Sequence, residues 1–207
     1  MTLLGHPSAT VNPSSSNRFF IALLPPPAIQ EEVNGIKQHF VEHYQSRAAL
    51  RSPPHITLQP PFTWLCNDLP RLENHLSQFA LSQLSVPITL QGFAAFAPRV
   101  IYIDVLQTPE LLRLHQVLTT MLAEKLAILP PSRDIRSFCP HLTVAFRDLT
   151  VQNFNAAWAQ FQSRSLFFEF VATHLTLLIH NGQCWTPYQT FPFLEQPSAL
   201  KVGVSDA

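Results

Sequence analysis

The segments Pro54-His55-Ile56-Thr57-Leu58 and Pro140-His141-Leu142-Thr143-Val144 decide how this chain is read. Each is a short apolar run introduced by a proline, the pattern of a strand that begins where a loop ends. A strand sends alternate side chains to opposite faces, so His55 and Thr57 share one face while Ile56 and Leu58 share the other. The same parity groups His141 with Thr143, and Leu142 with Val144. Along the polar face an imidazole and a hydroxyl stand roughly 7 Å apart. The aliphatic face anchors the strand in a core.

The context of the two segments also repeats. Phe19 to Leu24 is a compact apolar run that reads as a buried strand, and Pro26 and Pro27 suit a helix start. Ile29, Val33, Ile36, Phe40 and Tyr44 then recur at helical spacing. In the second half, Val100 to Val105 reads as a strand. Thr108-Pro109-Glu110 supplies a capping hydroxyl, a first-turn proline and an acid near the helix dipole. That helix continues through Leu114, Leu118, Met121 and Leu122 to about Leu126. Strand start to histidine is 36 residues in one half (55 − 19) and 41 in the other (141 − 100). A repeated strand–helix–motif unit predicts a bilobed α+β fold with approximate two-fold symmetry, its two motifs facing each other.

Other elements complete the outline. The His55 to Leu58 run is expected to stop before Pro60 and Pro61. A helix is expected from Pro70 to Leu81, capped by Asn67 or Asp68, and a shorter one from Asn153 to Phe161. Strands are expected at Ile88–Phe96, His141–Phe146, Leu166–Val171, Thr173–His180 and Trp185–Thr190. Residues 1–17 read as a flexible leader, 18–194 as one bilobed domain and 195–207 as a tail.

Composition narrows the function classes. Of 207 residues, 46% are hydrophobic, enough for a sizeable core, and only 13% are charged. Net charge is zero, which argues against a basic track for duplex DNA but leaves room for a ligand with one phosphate. Cys66, Cys139 and Cys184 are widely spaced without a CxxC pair, so reduced thiols in a cytoplasmic protein are expected rather than a disulfide framework or zinc site. The apolar runs are too short to span a bilayer, so no membrane association is expected. A monomer is the expected state.

Two imidazoles and two hydroxyls around one pocket suit phosphodiester cleavage. A base must take a proton from water or a ribose hydroxyl, and an acid must protonate the departing alkoxide. Histidine does either near neutral pH. Threonine hydroxyls can donate to the non-bridging oxygens as charge shifts in the transition state. No cofactor and no metal are required. By chance, roughly 0.6 His-x-Thr triplets are expected in such a composition, and about a hundredth of one with a preceding proline and apolar flanks. Three triplets occur, and the two at His55 and His141 carry the proline. The third, His174-Leu175-Thr176, lacks it, lies outside the repeat and reads as an ordinary sheet histidine.

The paired motifs, with Phe20-Ile21-Ala22-Leu23-Leu24-Pro25 as an opening strand, resemble the two HxTx motifs of the 2H phosphoesterase superfamily, in particular its group of 2′-5′ RNA ligases. The resemblance covers most of residues 18–193. It implies a duplicated fold of two antiparallel sheets with outer helices and a central cleft. It implies hydrolysis of 2′,3′-cyclic phosphates of nucleotides or RNA ends to 2′-phosphates, and in some members reversible 2′-5′ joining of RNA ends. His55 and His141 become the acid/base pair, and Thr57 and Thr143 the phosphate donors. A binding module holding a nucleotide or RNA end in the same cleft is the alternative.

Two departures stand out. Pro60-Pro61-Phe62 replaces the Phe-Leu-Gly common in ligase-like members. Phe146 stands where such members often carry arginine, with Arg147 one position later; on a continuing strand that shift would reverse its face. Phe62 either stacks on a base at the cleft rim or packs in the core, and Arg147 is the preferred phosphate partner ahead of Arg99 and Arg136. Tyr102 and Phe96 read as core. His39 and His43, four apart on a helix, lack an evident third metal ligand and read as surface residues.

Overall fold

Strand and helix order follows directly from the apolar periodicity. The computed structural model describes residues 15–129 and 138–194. The chain runs β1 (Ser16–Leu23), α1 (Pro27–Tyr44), a 3-10 turn (Ala48–Arg51), β2 (Ile56–Leu65), α2 (Leu69–Ala80), β3 (Val86–Phe96), β4 (Val100–Val105) and α3 (Pro109–Leu126). It ends with β5 (His141–Ala145), α4 (Val151–Phe161), β6 (Phe167–Ala172), β7 (His174–His180) and β8 (Trp185–Pro192). Among the described residues the strands form two four-stranded antiparallel sheets, ordered β2-β1-β7-β8 and β5-β4-β3-β6.

The duplication is visible in the sheets. Each motif strand lies at an edge and pairs with the opening strand of its own half: Leu23 faces Ile56 and Ala22 faces Thr57, while Ile103 faces Leu142 and Tyr102 faces Thr143. The two long helices both have 18 residues, begin at a proline and end on a left-handed residue, Gln45 (φ 56°) and Ala127 (φ 53°). Thr108 caps α3 by accepting from the Leu111 amide, as expected. Each long helix also packs crosswise against the other half's motif strand, α1 on β5 and α3 on β2. The halves share one core, in which Phe19, Ile21 and Leu23 of β1 meet Leu142 and Val144 of β5, Leu118 of α3 and Phe161 of α4.

Several boundaries differ from expectation. Ser16 and Asn17 pair with Leu65 and Trp64, so the ordered unit starts inside the expected leader; residues 1–14 and 195–207 lie outside the described residues. Strand β2 runs through Pro60 and Pro61 to Leu65. An edge strand leaves one side unpaired, so missing amide hydrogens are tolerated there, and β2 absorbs two single-residue register shifts against β1. Asp68 sits at the start of α2 without a side-chain capping bond, and its carboxylate instead meets Arg71 at 3.4 Å.

Cross-half contacts fasten the loop leading to His55. Asp148, just past β5, accepts from the Ser46 hydroxyl at 2.8 Å and from the Arg47 and Ala48 amides at 2.9 and 3.0 Å. The Asn153 side chain donates to the Tyr44 carbonyl at 2.8 Å. Beneath them Phe161 packs on Phe40 (4.7 Å between centroids) and edge-on to Phe93 (4.9 Å). Replacing Phe161 with alanine should cost about 3–5 kcal/mol in denaturant unfolding. A loss below about 1 kcal/mol would contradict this packing.

Candidate active site

Both motif histidines are held in the same way, by local backbone geometry. The proline-led approach turns the carbonyl two residues upstream back toward the ring. His55 Nδ1 donates to the Pro53 carbonyl at 2.7 Å, and His141 Nδ1 donates to the Cys139 carbonyl at 2.8 Å. A carbonyl can only accept, so Nδ1 carries a hydrogen in each ring and Nε2 is the atom left free to take up or give up a proton. The aliphatic partners Ile56, Leu58, Leu142 and Val144 are buried, whereas His55, Thr57, His141 and Thr143 are half-buried.

All four polar residues line one cleft of about 530 Å³ between the sheets. The same cleft is lined by Arg18, Arg51 and Arg147 and by His180, and among its described lining residues there is no carboxylate. In a chain of zero net charge this is a local concentration of cationic and donor groups suited to an anion. Aromatic rings support both imidazoles: Phe20 lies 4.8 Å from His55, while Phe96 and Tyr102 lie 5.2 and 5.1 Å from His141.

The surroundings of His55 disfavour its charged form. Burial pushes His55 down to about 4, helped by the positive Lys37 and by His141, against the opposing effect of the Pro53 carbonyl. His55 is therefore a neutral imidazole at physiological pH. Tyr102, whose hydroxyl interacts with Cys139, is pushed up to about 12 by burial first and by Cys139 and Asp104, so it keeps its proton.

The remaining candidates separate clearly. Arg147 lines the cleft, and so does Phe146. Strand β5 ends at Ala145, so alternation no longer governs either residue; Arg147 takes a left-handed conformation (φ 62°) and its guanidinium lies 5.2 Å over the Phe146 ring. The expected face reversal therefore does not remove the arginine from the cleft. Phe62 is a correction: it packs on Phe19 (6.3 Å) and the main core and is not among the residues lining the cleft. It lies an odd number of positions from His55, and the two register shifts run in the same sense and add to two residues, which preserves parity, so it faces away. Phe96 is a second correction, since it is 37% exposed and lines the cleft rather than the core. Arg99 does not line the cleft, and Arg136 lies outside the described residues. His174 stands beside Thr173 and away from the cleft, with Thr176 fully buried.

One wall escaped the sequence reading. At the β7–β8 turn, His180 and Trp185 form a cross-strand pair with rings 4.8 Å apart, Arg18 lies 5.2 Å over Trp185, and Trp185 meets Phe20 at 4.7 Å. These residues belong to no motif. The available signal was parity, since Arg18, Phe20 and Ala22 alternate with the core residues of β1. His39 and His43 stack at 4.0 Å on α1, and among the described residues no group of three or more His, Cys, Asp or Glu could hold a metal ion. No described helix is long and apolar enough to cross a membrane.

Residues 25–183 match the model of the 2′-5′ RNA ligase superfamily. The chain belongs to the 2′-5′ RNA ligase superfamily. It is thus a 2H phosphoesterase by family, as its paired motifs indicate. A relative in Geobacillus sp. (strain WCH70) that bears the name "Putative phosphoesterase" is 31% identical over 179 residues, covering 84% of this chain and 95% of that protein. Another with that name, in Geobacillus kaustophilus, is 30% identical over the same shares. Among solved structures, Escherichia coli LigT in its apo form superposes with a TM-score of 0.62 at 20% identity, covering 87% of this chain and 99% of LigT. Membership of the superfamily and the two-sheet fold are consistent with each other.

Nuclear magnetic resonance tests the site geometry directly. Long-range 1H–15N spectra should show a hydrogen on Nδ1 of both His55 and His141, and His55 should titrate near 4 rather than 6.5. The unfolded chain binds that proton at higher pH than the folded one, so acidification through this window should favour unfolding through His55. A His55 midpoint near 6.5 would refute the desolvated setting of this half-buried ring.

Proposed function

We propose that the chain is a metal-independent cyclic phosphodiesterase that opens 2′,3′-cyclic phosphates of nucleotides or RNA ends to 2′-phosphates. The observation that carries this reading is the pairing of two Nδ1-anchored imidazoles and two threonine hydroxyls on one carboxylate-free cleft wall. Superfamily membership supports it, and an E. coli LigT structure described as complexed with 3′-AMP shares the fold.

His55 is the general base, because a neutral imidazole with an open Nε2 can accept a proton. It takes the proton from water as the water oxygen bonds to phosphorus. The bond from phosphorus to the ribose 3′ oxygen breaks, and His141 delivers a proton from Nε2 to that oxygen. The product is a 2′-phosphomonoester; His55 then releases its proton to solvent and His141 takes one up, which restores both rings. Thr57 and Thr143 donate to the non-bridging oxygens, and Arg147 balances their charge. The nucleoside lies against the Trp185–His180 wall rather than Phe62, because only the former faces the cleft. Attack by a 5′-hydroxyl of a second RNA end in place of water, with the same 3′ oxygen leaving, would give 2′-5′ joining.

The test is a panel of 2′,3′-cyclic mononucleotides and cyclic-phosphate RNA ends, assayed with and without EDTA. His55→Ala and His141→Ala should each lower kcat/KM by at least about 100-fold, and Thr57→Val or Thr143→Val by about 10- to 100-fold. Activity should persist in chelator and follow a bell-shaped pH profile whose acid limb lies well below 6.5. Nucleotide binding in calorimetry with no turnover of any substrate would favour a binding module instead.

The stacking wall makes a separate prediction. Trp185→Ala should raise KM for cyclic mononucleotides about 5- to 50-fold with a smaller change in kcat, whereas Phe62→Leu should leave KM within about two-fold. An unchanged KM in Trp185→Ala would remove the nucleoside from that wall.

A further inference from the structure

Lys37 is a buried cation unexplained by packing. It lies on α1 at 1% exposure and makes no ion pair among the described residues. An unpaired buried ammonium is costly, and burial lowers Lys37 to about 7. Its Nζ donates to the Ser52 carbonyl at 3.0 Å. The next residue, Pro53, carries the carbonyl that accepts from His55 Nδ1 at 2.7 Å. The loop is thus gripped at its start by Asp148, through Ser46, Arg47 and Ala48, and at its end by Lys37.

The pseudo-symmetry isolates this contact. Helices α1 and α3 have equal length and start at Pro27 and Pro109, an offset of 82 (109 − 27). The counterpart of Lys37 is therefore Thr119, whose hydroxyl only turns back to the His115 and Gln116 carbonyls of its own helix. His141 has no buried cation at the equivalent helix position. Among the described residues the device belongs to one half of a duplicated fold.

We propose that Lys37 is a positioning residue for His55, fixing the Ser52–Pro53 backbone that orients the imidazole and placing a positive charge behind the ring. The base role of His55 in this statement rests on the proposed function; the orientation and the charge effect do not. Other charged and titratable groups around His55 are His141 from β5, Arg51 from the 3-10 turn, Arg147 after β5, Arg18 from β1 and His180 from β7. All are unchanged when Lys37 alone is replaced. Loss of a nearby positive charge favours the protonated imidazole, so His55 should then titrate at higher pH.

The experiment compares wild type, Lys37→Met and Lys37→Gln by imidazole NMR titration and by pH-dependent turnover of a 2′,3′-cyclic nucleotide. Both variants should raise the His55 midpoint, and with it the acid limb of kcat/KM, by at least about half a pH unit. Lys37→Met, which keeps the stem but loses the donor, should also lower the plateau kcat about 5- to 20-fold; Lys37→Gln, which keeps a donor, should recover most of it. An unchanged His55 midpoint in a folded variant would overturn the proposal even if melting temperature fell. If Lys37→Met does not fold, Lys37→Gln carries the titration test alone. If wild type turns over no substrate, the proposed function fails while the NMR titration still decides the role of Lys37.

Discussion

Alternation along two edge strands is the constraint on which everything else depends. Ile56 and Leu58 on one strand, and Leu142 and Val144 on the other, are at most 1% exposed. Their burial fixes register, because a one-residue slip would carry aliphatics into the cleft and imidazoles into the core. The same burial holds each histidine where the carbonyl two residues upstream can select its tautomer. Fold and chemistry therefore share one determinant: a proline-led strand with an apolar side and a polar side.

The duplicated fold was legible because its signals are local. Prolines start both long helices, the apolar stripes recur at helical spacing, and the motif strands repeat. The pocket-facing positions of His55, Thr57, His141 and Thr143 followed from period-two alternation alone. What failed did so where local order ends or where parity went unused. The face reversal expected at Arg147 failed because the residue lies past the end of β5, in a left-handed turn that no alternation rule covers. Phe62 could have been placed correctly by counting from His55. The Trp185–His180 wall depends on pairing between β7 and β8 and on β7 lying beside β1, contacts between segments far apart in sequence. Lys37 reads as a polar residue of an amphipathic helix, and only tertiary packing reveals that it is buried.

A duplicated site gives two similar residues, but the proposed reaction needs two different ones. The backbone anchoring of the imidazoles is nearly identical, so the distinction must come from surroundings. On one side stand burial, Phe20 and a cation on α1; on the other stand Phe96, Tyr102 and a helix position occupied by threonine. Crosswise packing of α1 on β5 and α3 on β2 makes those surroundings mutual, because each helix also supports the opposite motif strand. The halves are consequently hard to tune independently.

The order of strands in the first sheet has a consequence for how the molecule is made. Strand β1 is flanked by β2 on one side and by β7 on the other, and β7 is in turn covered by β8. A nascent chain emerging from the ribosome presents β1, α1 and β2 early, yet one edge of β1 stays open until residues 174–192 arrive. Throughout synthesis of the intervening stretch, the strand bearing Phe19, Ile21 and Leu23 is an exposed apolar edge. Completion of the first lobe is thus a late event in the life of the polypeptide, tied to the last part of the described chain to be translated.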